Sequence, residues 1–190
     1  MAEPAVGRMG ADAFLAWAEG REGRWELIDG VPVMMAGAQR RHDQIVVNAI
    51  VSLGVQLRGG PCRPFTGDTA VKMTAGNVRR PDVGVECGPV DPPALHAAVT
   101  KLVVEVMSPS NRPIDVVRKL DEYRAQPGLD HVLLIEPGTV QALLWSRAGR
   151  ECSSTVFEAL EDVIEIPTLG IRLPLVVLYE DVALPPRLVQ

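Results

Sequence analysis

The sequence has few of the residues that build disulfide-stapled or imidazole-rich proteins. Its 190 residues include three cysteines and three histidines, and only 4% are aromatic. An odd number of widely spaced cysteines (Cys62, Cys87 and Cys152) argues against a disulfide framework or a zinc knuckle. We therefore expect reduced thiols and a cytoplasmic location. The absence of an H-E-x-x-H pattern likewise argues against a metal site built from imidazoles.

Long apolar runs and a strong positive charge are also missing. No run approaches the ~18 residues that span a bilayer, and the N-terminus shows no basic segment followed by an apolar one. We therefore expect neither a secretory signal nor a membrane partner. The net charge of −5 argues against a protein that coats nucleic acid through bulk charge, although it allows a local basic cleft.

The remaining composition indicates one mixed domain. Hydrophobic residues make up 47% of the chain, enough for a core, and 17 glycines and 16 prolines indicate many turns. Apolar residues spaced three and four apart predict helices over 11–18, 39–57 and 112–125. Short apolar runs between turn residues predict strands over 24–28, 31–35, parts of 62–87, 101–107, 131–135, 140–145, 152–157, 163–166 and 171–173. We expect a single domain over 1–190 with loose tails at 1–10 and 183–190, in an α/β or α+β fold with a mixed sheet.

A carboxylate interrupts one of the predicted strands. Segment 101–107 has apolar residues on both faces and so belongs inside the sheet, yet Glu105 stands in its middle. A buried carboxylate is costly unless it is protonated, paired or bound to a cation. A structural ion pair and a functional site both remain open at this position.

A second acid, Asp82, follows Pro81 at the start of the preceding strand. An ordinary turn aspartate is one interpretation. In the other, Gly84 on the same face leaves space beside the carboxylate, and Asp82 joins Glu105 in binding one divalent cation. Hard cations such as Mg²⁺ prefer carboxylate oxygens, and such an ion activates water and neutralises charge on a phosphate.

Lys119 is the third candidate, on the helix that follows the Glu105 strand. Asp115 lies four residues earlier, so a surface ion pair between the two is the simpler interpretation. In the functional interpretation, the Lys119 amine orients the attacking water or stabilises the transition state.

These residues, in this order, are similar to the PD-(D/E)xK nuclease superfamily and most closely resemble its Uma-two family of restriction endonucleases. The likeness runs from about Glu26 to Tyr179. The matching segments are W-E-L-I-D-G at 25–30, His42, R-P-D-V at 80–83, V-E-V-M-S-P-S at 104–110, K-L-D-E-Y at 119–123 and L-P-L at 173–175. One departure is Met107, which occupies the superfamily's lysine position and cannot carry charge.

The resemblance implies a restriction-endonuclease-like core, with a central mixed sheet flanked by helices, that cleaves DNA with Mg²⁺ or Mn²⁺. Asp82 and Glu105 would hold the metal, Glu26 would help directly or through water, and Lys119 would supply the amine missing at 107. A homodimer is expected on general grounds, because cutting two strands takes two sites and two-fold dimers are the commonest oligomers.

Four further residues have two interpretations each. His42 lies near the site, as the resemblance implies, or is a solvated residue at a helix start. Arg79 and Arg80 contact phosphates or are surface charges at a strand entry. Tyr123 borders the cleft or packs in the core.

Two other functions remain open. One is a DNA-binding or assembly module that keeps the fold without turnover, which the missing lysine at 107 and the acidic net charge favour. The other is a structural protein in which Glu105 is merely ion-paired. The three side-chain ends of Asp82, Glu105 and Lys119 must lie within ~8 Å of one another for a shared metal site.

Overall fold

The computed structural model describes residues 7–108 and 113–184, which form a mixed α/β fold with a central mixed sheet, as predicted. The elements, in chain order, are α1 (Ala11–Ala18), β1 (Trp25–Ile28), β2 (Val31–Met34), α2 (Arg40–Gln56), β3 (Cys62–Thr66), β4 (Val71–Lys72), β5 (Val78–Arg79), β6 (Val83–Cys87), β7 (Thr100–Val106), α3 (Pro113–Ala125), β8 (His131–Glu136), β9 (Gln141–Ala148), β10 (Glu151–Phe157), β11 (Val163–Ile166), β12 (Ile171–Pro174) and α4 (Leu175–Leu178).

The central sheet has six strands in the order β10-β9-β8-β7-β6-β3. Only β7 and β8 pair in parallel, and the other neighbours are antiparallel. Strand β7 lies inside the sheet, and apolar residues occupy both of its faces because a packed layer covers each face. Its alternate side chains pack into two separate apolar layers. Val104 packs with α2 on one face, and Val103 packs with Tyr123 of α3 on the other.

A second, smaller sheet has the strand order β2-β1-β5-β4. The predicted hairpin joins β1 and β2 through Asp29 and Gly30, which have positive φ values of 51° and 79°. Pro32 lies on β2, the edge strand, where its missing N–H costs no pairing. Only three residues separate β5 from β6, so this connection ties the small sheet to the central one and brings their side chains together.

The expectation of reduced thiols is wrong for two of the three cysteines. Cys62 and Cys87 form a disulfide, and Cys152 is free and exposed. The two bonded cysteines lie directly opposite each other on β3 and β6, with 4.0 Å between their Cα atoms. The register between β3 and β6 brings the two cysteines together, although they are distant in the chain. The spacing of cysteines in the sequence does not reveal this register.

The space predicted beside Gly84 is also absent, because the ring of Phe65 fills it. A Cβ at Gly84 would lie 2.1 Å from Phe65 Cζ.

The predicted N-terminal tail is shorter than expected, since the Met9 N–H donates a 2.9 Å hydrogen bond to the Gly30 carbonyl. The predicted tail residues 1–6 and 185–190, and residues 109–110 of the V-E-V-M-S-P-S segment, lie outside the described part of the chain.

The helices of the described residues include none that combines the length and the apolar character needed to cross a bilayer.

Candidate active site

Asp82 and Glu105 lie on the same side of the central sheet. Val83 pairs with Val104, so Asp82, one residue before β6, lies opposite Glu105. Residues directly opposite in an antiparallel pair share one face. Asp82 Oδ2 accepts a 2.8 Å hydrogen bond from the backbone N–H of Val106. Both acids line a cavity of about 770 Å³, and each side chain is only 12% exposed.

Lys119 reaches this cavity from α3. Its Nζ lies 2.8 Å from Glu105 Oε1 and 3.4 Å from Glu26 Oε1, so it pairs with these two acids rather than with Asp115. Burial alone would lower the pKa of Lys119, but the attraction of Glu105 and Glu26 outweighs it and raises the pKa. Helix α3 therefore brings a charged amine to Glu105, a group that Met107, the residue after β7, cannot supply.

Glu105 is held in place by two donors on α3. Tyr123 donates a 2.6 Å hydrogen bond to Glu105 Oε1, the same oxygen that Lys119 contacts. Burial raises the pKa of Glu105 to about 7, with a further increase from Asp82 and an opposing effect from Lys119. Both interpretations of Tyr123 are therefore correct, because it is 1% exposed within the core and also borders the cavity.

Glu26 also lies at the site, but its two carboxylate oxygens have partners. Its Oε2 accepts a 2.9 Å hydrogen bond from Arg79, and its Oε1 accepts one of the same length from the Arg80 backbone N–H. Burial alone would raise the pKa of Glu26, but Lys119 and Arg79 outweigh it and lower the pKa. Glu26 is therefore stably ionised and pairs with the charged side chains of Arg79 and Lys119.

Arg79 is a buried structural residue, and the interpretation of it as a phosphate contact or a surface charge is wrong. It is 4% exposed and donates to both oxygens of Glu122, at 2.7 and 2.9 Å, as well as to Glu26. Arg80 donates to the backbone carbonyls of Trp25, Gly67 and Asp68. Sequence reasoning missed Glu122, whose only signal was its place in the K-L-D-E-Y segment.

His42 lies at the site rather than in solvent. Its Nε2 is 3.2 Å from Asp82 Oδ2, and its side chain is 12% exposed. Burial alone would lower the pKa of His42, but the hydrogen bond and charge of Asp82 outweigh it and raise the pKa.

Two carboxylate oxygens remain available for a cation. Asp82 Oδ1 and Glu105 Oε2 have no hydrogen bond or ion pair with any residue in 7–108 or 113–184. Within the same ranges, no group of three or more His, Cys, Asp or Glu side chains is arranged to hold a metal ion. Two carboxylates fit an ion such as Mg²⁺, which keeps several of its waters when proteins bind it.

Comparison with known proteins leads to one family. Residues 11–176 match the model of the Uma2 family, whose description is "Putative restriction endonuclease". The chain belongs to the Uma2 family. This is the Uma-two family that the sequence resembles, and the prediction of that family is confirmed.

One relative and one solved structure extend this comparison. An uncharacterized protein of Synechocystis sp. is 26% identical over 178 residues, which are 93% of this chain and 94% of the relative. A crystal structure of "a putative nuclease belonging to DUF820" from Anabaena variabilis matches with a TM-score of 0.72 and 17% identity, covering 90% of this chain and 97% of that one. The structural match confirms the predicted fold.

Proposed function

We propose that this Uma2-family protein is a metal-dependent endonuclease of the PD-(D/E)xK type that hydrolyses phosphodiester bonds in DNA, with Mg²⁺ or Mn²⁺ as its cofactor. One observation carries the proposal: Lys119 Nζ lies 2.8 Å from Glu105, on the cavity that Asp82 also lines. The helix α3 thereby supplies the amine that Met107 cannot, so two acids and a lysine meet despite the broken sequence motif.

In this proposal, Asp82 and Glu105 would hold the metal through the carboxylate oxygens that have no partner among the described residues. Bound there, the ion would polarise the phosphate and lower the pKa of the attacking water. Glu26 acts through water or by holding Lys119, because its own oxygens already accept from Arg79 and Arg80. His42 and the Val106 N–H both contact Asp82 Oδ2 and so leave Oδ1 facing the cavity.

Lys119 is the group that acts on the reacting atoms. Its raised pKa keeps it charged at neutral pH. A charged amine beside the attacking water orients that water and stabilises the negative charge that develops on the phosphate. DNA is the proposed substrate, and a homodimer is the proposed assembly, because cleavage of both strands needs two sites.

We also propose that the protein acts in the cytoplasm, where its substrate is. Cell fractionation tests this location. The protein should be recovered in the cytoplasmic fraction, and its recovery outside the cytoplasm would contradict the proposal.

Nicking of supercoiled plasmid tests the proposed activity. The wild-type protein should nick DNA with Mg²⁺ or Mn²⁺ and not with EDTA. Lys119→Met should slow nicking by about 100-fold or more, the usual cost of removing one charge-stabilising donor. Lys101→Met is the matched control, because Lys101 also pairs with a carboxylate, Asp130 at 2.9 Å, on another part of the sheet.

The results separate the proposal from its alternatives. Wild-type nicking rates in Lys119→Met would overturn the mechanism. A protein that binds duplex DNA but neither binds Mn²⁺ nor nicks any nucleic acid would be the non-catalytic module. Calorimetric titration of Mn²⁺ into wild type and Glu105→Gln measures the metal site independently of turnover.

A further inference from the structure

Strand β10 is an open edge of the central sheet. It pairs with β9 on one side, and among the described residues no strand lies on its other side. Six of its seven residues are exposed, and Val156 is 52% exposed. Natural edge strands are commonly protected by lysine, proline, a bulge or a covering segment. The segment 152–157 contains neither lysine nor proline and no charged residue, so the composition of β10 leaves it open to pairing.

The β9–β10 hairpin determines which backbone groups face outward. Its two-residue turn, Gly149 and Arg150, lies between Ala148 and Glu151, which are directly opposite each other. In such hairpins the flanking residues form a hydrogen-bonded pair, and this pairing alternates along the ladder. The N–H and C=O groups of Glu151, Ser153 and Thr155 therefore point to β9. Those of Cys152, Ser154 and Val156 point away from the sheet.

We propose that β10 pairs with β10 of a second copy of this chain, antiparallel and two-fold symmetric about Ser154. This inference names the interface of the homodimer proposed above and rests on it. Three outward-facing residues in each copy would exchange about six main-chain hydrogen bonds. The two central sheets would then form one continuous sheet, which removes both open β10 edges.

Charge complementarity favours a second copy over an unrelated peptide. With Ser154 on the two-fold axis, each residue before it lies opposite the residue equally far after it in the other copy. Arg150 then lies opposite Glu158 of the other subunit, and this pair occurs twice. Both residues are exposed in the chain. The uncharged segment 152–156 lies between these pairs, so the strand is complementary to itself in this register.

Cysteine cross-linking tests the register. The variant Ser154→Cys, made with Cys152→Ser to remove the free thiol, should form an intersubunit disulfide under mild oxidation. The two residues would be a hydrogen-bonded pair with Cα atoms about 5.5 Å apart, within the range a disulfide spans. Ser153→Cys in the same background is the matched control, and its two thiols would be too far apart in this register to cross-link.

Charge reversal tests the interface independently of the cysteine variants. Arg150→Glu should weaken the dimer by at least tenfold, measured by analytical ultracentrifugation, and the double variant Arg150→Glu with Glu158→Arg should restore it. Val51→Lys, on an exposed apolar stripe of α2, should leave the dimer intact.

The outcomes distinguish the separate claims. A wild-type monomer at all concentrations tested would overturn both the homodimer and this interface, while plasmid nicking would still report on the nuclease. A dimer whose affinity is unchanged by the charge reversal, and which forms no Ser154→Cys cross-link, would overturn the β10 interface alone. Loss of the dimer in Val51→Lys, with the charge-reversal variant unaffected, would place the contact on α2 instead.

Discussion

The hydroxyl of Tyr123 lies 2.6 Å from Glu105 Oε1, so a buried phenol donates directly to the acid in the middle of the central strand. Lys119, one turn earlier on the same helix, contacts the same oxygen. Helix α3 thus supplies two donors to one carboxylate oxygen and leaves the other facing the cavity. The ionisation state of Glu105 therefore depends on α3 as well as on burial.

The pH dependence of nicking should follow the ionisation of Glu105. Its pKa is raised to about 7 because it is buried, so the ionised form, which is the form proposed to bind the metal, is lost as pH falls through 7. At subsaturating Mn²⁺, nicking should fall about tenfold per pH unit below 7 if the proton and the metal compete for this carboxylate. Raising the Mn²⁺ concentration should move the midpoint to lower pH, and a midpoint independent of Mn²⁺ would contradict this competition.

Removing the phenol hydroxyl should move the same pH profile. In Tyr123→Phe the ionised form of Glu105 loses a hydrogen-bond donor, which raises its pKa further, so the nicking midpoint should shift to higher pH. The control is Tyr179→Phe, which removes a buried hydroxyl bonded to the backbone of Glu136 and Gln141. Both variants should lose stability, but only Tyr123→Phe should change the pH profile.

Loss of Arg79 should destabilise the fold. In Arg79→Met, Glu26 and Glu122 become buried carboxylates without their guanidinium partner, at a cost of about 3–5 kcal/mol in the free energy of unfolding. Arg172→Met, which removes a mainly exposed ion pair with Glu165, should cost about 1 kcal/mol or less. Urea unfolding followed by circular dichroism measures both free energies of unfolding. Equal losses would show that the buried ion-pair network contributes no more to stability than the exposed pair.

The same glycine-to-alanine change should have opposite effects at two positions. Gly84→Ala places a methyl group against the Phe65 ring and should lower stability by about 1–3 kcal/mol. Gly54→Ala, within α2 and 3.8 Å from the nearest atom of Pro64, should raise it by about 0.5–1 kcal/mol. Adding Phe65→Leu to Gly84→Ala should recover part of the loss if the ring causes it.

Reduction of the disulfide should lower stability by about 3–4 kcal/mol, because the bond between Cys62 and Cys87 closes a loop across a sequence separation of 25. Thermal or urea unfolding with and without reductant measures this difference. The double variant Cys62→Ser with Cys87→Ser should be equally sensitive to denaturant in both conditions.

Local patterns explain why the sequence predicted the site as well as it did. Side chains alternate along a strand, so Glu105 and Val103 share one face, and in the structure both lie on the side that α3 covers. The proline before Asp82 indicated the start of a strand, which is where β6 begins two residues later. The position of Lys119 near Glu105 followed from the short connection between β7 and α3.

Features that depend on distant pairing could not be predicted in this way. The Cys62–Cys87 bond and the contact of Phe65 with Gly84 both require the register between β3 and β6. The pairing of Arg79 with Glu122 requires the small sheet to lie against α3. Arginines beside an expected phosphate site suggested ligand contacts. The burial of Arg79 and the backbone carbonyls that accept from Arg80 show that both bind to the protein itself.

The position of the Lys119 amine on α3 has a consequence for finding similar proteins. A search that demands an acid and a lysine two positions apart on one strand would reject this chain at Met107. A search of structures that requires only an ammonium group in contact with a carboxylate on a strand would retain it. A survey based on linear spacing would therefore miss any chain in which, as here, the amine comes from a neighbouring helix.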